Sequence, residues 1–385
     1  MRFSDDVWFL TNLGNVCTGF DYGLGAEAKE FDGINRYIRI TDINEETSLY
    51  DSNNVVSPTF TDNNCIVQEN DILFARTGAS TGKTYLYNKK DQKLYFAGFL
   101  IRANVKREFD SYFIYLQTKT QKYKNWISIM SARSGQPGIN AKEYQTYQIS
   151  YPSYVIQLKI SKFMRMIDKR IQAQSKIIED LGLLKKSISH KIFGDNSLIK
   201  KDWKLTKLSD VLIERKTYDV KESKYPHVTL SKDGIYSKSD RYNRDFLVKD
   251  EDKNYKITHL NDICYNPANL KFGVICLNSY GDAIFSPIYV TYEVKDGNDA
   301  YFISQYVTNS TFIGHIRKYE QGTVYERMAV SSEDFLKGKI YLPSITIQNE
   351  ISQIFKLLDK KINLELEVLN KLKEQKKYLL SNMFI

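Results

Sequence analysis

PSYVIQLKISKFMRMIDKRIQAQSKIIEDLGLLKKSISHKIFG (residues 152–194) and PSITIQNEISQIFKLLDKKINLELEVLNKLKEQKKYLLSNMFI (residues 343–385) decide the organisation of this chain. They align without a gap at an offset of 191 residues, so the chain carries the same segment twice. Pro152, Ser153, Ile156, Gln157, Ile160, Ser161, Asp168, Lys169, Ile171, Leu181, Lys185, Lys186 and Phe193 recur as Pro343, Ser344, Ile347, Gln348, Ile351, Ser352, Asp359, Lys360, Ile362, Leu372, Lys376, Lys377 and Phe384.

After each Pro-Ser pair the apolar residues fall at heptad spacing. Ile160, Ile167, Leu181 and Ile188 form one series, and Met164, Ile171, Ile178 and Ile192 a second. Ile351, Leu358, Leu372, Leu379 and Phe355, Ile362, Leu369, Met383 repeat both. One apolar stripe sustained over about five heptads predicts a long helix of the coiled-coil kind. About 37 residues at roughly 1.5 Å each make a rod on the order of 55 Å, longer than one turn of B-DNA at roughly 34 Å. Polar residues interrupt both stripes at equivalent places, Gln174 answering Glu365 and Lys185 answering Lys376. Such seam positions fix register, which is the role expected of these four.

Working outward, fainter repeats precede each helix. Trp8-Phe-Leu-Thr-Asn-Leu-Gly-Asn-Val16 matches Trp203-Lys-Leu-Thr-Lys-Leu-Ser-Asp-Val211, and Asp71-Ile-Leu-Phe74 with Gly82 matches Asp262-Ile-Cys-Tyr265 with Gly273. Short β-type runs (Arg36–Ile40, Asp71–Ala75, Thr84–Tyr87, Lys339–Leu342) alternate with Gly, Asn and Asp turns, and helices are expected over Ser111–Ile129 and Ala300–Tyr319. The plan is therefore α+β: mixed domains at 1–151 and 198–342, separated by long helices at 152–197 and 343–385 that form an antiparallel coiled coil, with a pseudo-twofold internal repeat.

A length of 385 residues suits two or three domains, and 42% hydrophobic with 26% charged residues is an ordinary globular balance. The formal charge of +9 favours a polyanionic partner, nucleic acid first, although a Lys-rich composition alone produces the same excess. The opening Met1-Arg2-Phe3-Ser4-Asp5-Asp6 is not followed by an apolar run and no stretch approaches a bilayer span, so a cytoplasmic protein without membrane contact is expected. Cys17, Cys65, Cys264 and Cys276 form no CxxC, so reduced thiols are expected rather than a zinc site or disulfides.

Chemistry of its own is hard to find in the chain. Gly78-Ala-Ser-Thr-Gly-Lys-Thr84 looks like a phosphate-binding loop, but the required first glycine is Thr77 and Tyr85-Leu-Tyr87 reads as strand where that motif opens a helix. Tyr265-Asn-Pro-Ala268 falls short of an adenine-methyltransferase loop, lacking a second proline and an aromatic. Asp210 with Glu222-Ser-Lys224 is a chance nuclease-like pairing, and His190, His227, His259 and His315 have no ligand spacing. No catalytic or metal-binding residue is assigned. Base readout needs Arg or Lys for guanine and Asn or Gln for adenine. Turn regions supply Arg76, Lys83, Arg133 and Gln136 in the first domain, and Arg241, Arg244, Asn269, Lys271 and Gln321 in the second. The glycines around Arg76 and Lys83 read as a turn that offers cations and backbone NH groups to phosphate.

The Trp-x-Leu-x-x-Leu-x-x-Val openings, the Asp-Ile-Leu-Phe-x-Arg-x-Gly strand-loop and the Pro-Ser-x-x-x-Gln entry into a long helix together resemble the specificity subunits of type I restriction-modification systems, over essentially the whole chain. Ser134-Gly-Gln-Pro-Gly-Ile-Asn140 resembles the family's Gly-x-x-Gln-Pro turn, whereas Gln321-Gly-Thr-Val324 in the second domain lacks the Gln-Pro. The resemblance implies a non-catalytic chain with two target recognition domains, each reading one half of an asymmetric split site in double-stranded DNA, and helices that set the spacer. It also implies two modification subunits docked on the helices, and restriction subunits joining them. S-adenosylmethionine, ATP and Mg would sit on those partners, with no cofactor in this chain. A self-contained nuclease or methyltransferase, or a coiled-coil scaffold without DNA affinity, are the rival readings.

Overall fold

The computed structural model describes residues 7–132, 138–195, 197–219, 224–232, 234–238, 254–321 and 328–384. Two helices dominate the chain, Tyr154–Phe193 with 40 residues and Ile345–Met383 with 39. All sixteen stripe residues named above are buried or half-buried in these helices, which is the signature of a packed seam.

The chain divides into two compact units, Met1–Ser175 with Glu367–Ile385, and Lys176–Leu366. Each therefore contains the opening part of one long helix or its close, drawn from both copies of the repeat. In the first unit Ile160, Met164 and Ile167 share a core with Leu380 and Met383; in the second, Ile192 and Phe193 share one with Ile351 and Phe355. Early residues of one helix meet late residues of the other, so the paired segments run antiparallel within each unit.

Both units are built on one plan. In the first, a four-stranded antiparallel sheet has the order Cys17–Tyr22, Leu100–Val105, Asp71–Ala75, Thr84–Leu86. In the second the order is Leu212–Glu214, Val290–Val294, Ile263–Tyr265, Ile275–Leu277. A separate two-stranded ribbon closes each unit, Phe9–Asn12 on Gln148–Tyr151 and Lys204–Lys207 on Lys339–Leu342. The Leu and Val of the repeated opening explain its conservation of type. Leu13 and Val16, like Leu208 and Val211, are the buried residues of one-turn helices that join ribbon to sheet.

The two helical stretches expected upstream are broken. Ser111–Gln117 and Gln121–Ser131 are separate because the Thr120 hydroxyl accepts from the Tyr123 amide and starts a new helix. Asn309 likewise restarts Ser310–Ile316 after Ala300–Val307 by accepting from the Thr311 amide. Thr and Asn placed mid-pattern are caps here.

The polar identities of the repeat fasten each domain to its helices. Asp110 caps its helix by accepting from the Phe113 amide and also accepts from the Ser161 hydroxyl, while Gln157 accepts from the Asp110 amide and donates to the Pro152 carbonyl. Asp299, Phe302, Ser352, Gln348 and Pro343 repeat every one of these bonds. Further along, Asp168 accepts from the Tyr112 hydroxyl and pairs with Lys376; Asp359 accepts from Tyr301 and pairs with Lys185. Burial and the adjacent carboxylate push both phenols far above their ordinary range. Lys185 and Lys376 thus meet carboxylates across the helix pair. Gln174 is buried, and Glu365 pairs with Lys361 of its own helix.

Asp168→Ala is expected to destabilise the first unit by about 2 kcal/mol, because it leaves both a half-buried ammonium and a buried phenol without their acceptor. Tyr112→Phe removes one bond and should cost about 1 kcal/mol. Hydrogen exchange in the first unit's strands Asp71–Ala75 and Leu100–Val105, compared between the two variants and the parent chain, measures the difference; unchanged protection would show that the carboxylate fastens nothing.

Candidate nucleic-acid interface

In the first unit the strand Asp71–Ala75 runs out into Arg76 and a tight loop. The loop closes on itself as a hairpin, the Ala75 amide donating to the Lys83 carbonyl (2.8 Å) and the Gly82 amide to the Ala75 carbonyl (2.9 Å). Gly82 has φ +87°, and a Cβ there would lie 2.7 Å from Ile127, so only glycine lets the loop return so close to its supporting helix. Thr84–Leu86 is strand, which removes the helix that a nucleotide-binding loop would need. The amides of Thr81, Gly82 and Lys83 are all spent on loop carbonyls. Those three amides are therefore not offered to a phosphate, while the loop's cations remain.

Three segments converge on Arg76. Its amide donates to the Phe99 carbonyl at 3.1 Å, its carbonyl accepts from the Ile139 amide at 2.9 Å, and Thr77 bridges Gly138. The guanidinium lies over the Tyr22 ring, 4.7 Å from the centroid, and Tyr22 in turn accepts a hydrogen bond from the Ala141 amide. Lys83 sits 3.7 Å from the exposed carboxylate of Glu45. Lys119, by contrast, is turned inward, donating to Ser48 and to both the carbonyl and hydroxyl of Thr84. Burial, with Lys376 adding repulsion, drives its ammonium well below the usual lysine range, and its bonds to Thr84 tie it to the loop's root.

The second unit repeats the arrangement with different side chains. After Ile263–Tyr265, Asn266 caps the short helical turn Pro267–Phe272, and Gly273 ends it in the left-handed conformation at φ +78°. The Val330 amide donates to the Pro267 carbonyl at 3.2 Å, as the Ile139 amide does to Arg76. Lys271 and Phe272 are exposed at the tip, the ammonium 5.2 Å from the ring centroid. Asn269 is half-buried, with its carbonyl accepting from the Val274 amide. Gln321 forms a backbone pair with Ala329, and its side-chain amide donates to Asp334 at 3.0 Å.

Of the residues nominated from sequence, Arg76 and Lys83 share one loop, and Asn269 and Lys271 share its counterpart. Gln321 borders the second loop through Ala329 and Val330. Arg133, Gln136, Arg241 and Arg244 lie outside the described residues. Tyr22, Glu45 and Phe99 were not foreseen, since nothing in spacing or repeat marks them. Among the described residues there is no group of three or more His, Cys, Asp or Glu that could hold a metal ion, and no helix is long and apolar enough to cross a membrane. Cys17, Cys65, Cys264 and Cys276 are all free thiols.

The model of the type I restriction modification DNA specificity domain matches the chain twice, over residues 12–182 and 200–374. The chain belongs to this family. The type I restriction enzyme MjaVIII specificity subunit of Methanocaldococcus jannaschii is 26% identical over 182 residues, covering 43% of this chain and 39% of that relative. The match thus spans about two fifths of the relative's length. Among solved structures, the S subunit of a type I restriction-modification system from M. genitalium shares the fold with a TM-score of 0.61 at 15% identity, covering 100% of this chain and 98% of the other. A second solved chain, from work on complex assembly and conformational transition of the type I R-M system, gives 0.59 at 13% identity over 99% and 98%.

Proposed function

We propose that this chain is a non-catalytic DNA-reading subunit of a type I restriction-modification complex, in which each domain reads one half of an asymmetric split sequence. The observation that carries the reading is the duplicated loop cluster. Equivalent sheets present equivalent loops with dissimilar tips, Arg76 and Lys83 against Asn269 and Lys271. Identical scaffolds with unlike contact residues suit two unlike half-sites. The remaining nominees, Arg133, Gln136, Arg241, Arg244 and Gln321, are kept as proposed DNA contacts on their residue type and place in the sequence.

The helices supply the spacer in this reading, with Gln174, Lys185, Glu365 and Lys376 as its register-fixing residues. They also carry a second apolar stripe outside the seam. Phe163, Met166 and Ile177 on the first helix are answered by Ile354, Leu357 and Val368 on the second, which adds Leu364, all exposed. A two-stranded coil wants charge at such flanking positions, so apolar residues there favour further helices packing on them. One such stripe per helix suits two copies of a modification subunit, carrying S-adenosylmethionine chemistry. Restriction subunits with ATP and Mg would join that assembly in the cytoplasm.

The reading is tested by mapping methylated adenines across the genome in cells with and without the gene. A split, non-palindromic motif that disappears with the gene is expected; an unchanged methylation map sinks the proposal. On the mapped duplex, Arg76→Ala should weaken binding by about 1–3 kcal/mol and relax bases in one half-site only. Lys271→Ala should lower the slope of log affinity against log salt by about one, with little change in sequence preference. Fluorescence anisotropy across a salt series separates the two behaviours.

A further inference from the structure

The turn at Ala97–Phe99 is held on every side, yet it projects a large apolar side chain. The Ala97 amide donates to the Ile38 carbonyl (3.0 Å), the Gly98 amide to the Leu24 carbonyl (2.7 Å), and the Leu100 amide to the Ala97 carbonyl (2.8 Å). The Phe99 carbonyl accepts from Arg76, whose guanidinium also reaches the Gly98 carbonyl. Phe99 nevertheless keeps 59% of its surface exposed. A ring held out on a rigid turn forgoes the burial that its area would otherwise stabilise, at about 25 cal/mol per Å². It also loses little conformational entropy on meeting a partner.

The second unit does the same thing without sequence identity. Between the strands Ala283–Phe285 and Val290–Val294, which correspond to Leu94–Phe96 and Leu100–Val105, the turn presents Ile288 with 62% exposed. Single exposed apolar residues are ordinary. Two at the same topological position, one of them bonded to the loop's own arginine, are better explained by a shared use. Phe and Ile are among the side-chain types that wedge between stacked base pairs, and the guanidinium at the root is placed to read a base edge beside the opened step.

We propose that Phe99 is an apolar wedge that enters a base-pair step of the first half-site and partly unstacks it, with Ile288 the counterpart for the second half-site. The proposal rests on the DNA-reading function above and adds specificity through deformability, since pyrimidine–purine steps open most easily. The full chain, assembled with its modification subunits, is titrated with the duplex identified by methylation mapping, carrying 2-aminopurine at successive positions of the first half-site.

Wild-type chain should raise the fluorescence at one step. Phe99→Ala should abolish that rise and weaken binding about tenfold or more, as loss of a base–aromatic contact does. Phe99→Leu should retain most of both, and signals from the second half-site should not change. Equal binding and equal fluorescence for wild type and Phe99→Ala overturn the wedge. So does a Phe99→Ala variant that fails to assemble with modification subunits while binding DNA normally. No binding by the wild-type complex would instead overturn the DNA-reading function itself.

Discussion

Seven residues inserted between positions 168 and 185, together with seven between 359 and 376, should change the number of unread base pairs between the half-sites and leave both half-sequences intact. Asp168 pairs with Lys376 in the first unit and Lys185 with Asp359 in the second, and the two positions lie seventeen residues apart along each helix. Matched insertions keep both pairs and both seams. An insertion in one helix alone cannot, because either Asp168 with Lys376 or Asp359 with Lys185 must lose its partner. A heptad adds about 10 Å of helix, so the spacer should grow by roughly one to three base pairs at 3.4 Å each. Methylation mapping reads the outcome directly. Altered bases with an unchanged spacer would refute the helices as the measuring element, and a single-helix insertion that behaves like the matched pair would refute the register.

The second large effect concerns two phenylalanines that the repeat makes equivalent and the structure does not. Phe193 is fully buried against Phe302, Tyr306 and Phe355, with ring centroids 5.5, 5.0 and 6.0 Å away. Phe384 is half-buried and, among the described residues, has one ring partner, Phe113 at 5.3 Å. Phe193→Ala should cost about 3–5 kcal/mol, cavity included, and Phe384→Ala about half as much. Because the chain has two units, a single unfolding transition is the wrong measure. Hydrogen exchange in the strands Ile263–Tyr265 and Val290–Val294 should accelerate for Phe193→Ala, with the first unit's sheet unaffected. Equal effects in both units would refute the separation of the cores.

The helices were legible because heptad spacing reports directly on a seam, and the repeat doubled the signal. Identity in the repeat carried more than was read from it. Ser161, Gln157 and Asp168 are polar identities lying beside the apolar series, and each turns out to fasten a domain to a helix. A repeated polar residue in a repeated helix is therefore a contact worth seeking. The upstream helices were misjudged in length because Thr120 and Asn309 interrupt patterns that remain apolar on either side.

Gly82 and Gly273, whose positive φ values favour glycine, mark the turns that follow the equivalent strands in both units. Their surroundings were not foreseeable. Phe99 comes to Arg76 through a backbone bond between residues 23 positions apart, and Lys119 and Lys83 look alike in sequence although one is tied to Ser48 and Thr84 and the other stands beside Glu45. Long-range placement of this kind has no local pattern to betray it.

The division of each long helix between units has a genetic consequence. Leu380 and Met383 belong to the core built around Ile72, Phe74 and Phe113, not to the domain they follow in the chain. A premature stop near codon 366 would leave the second unit its own complement of partners and strip the first unit of a wall. Damage late in this sequence would be felt by the unit encoded before it.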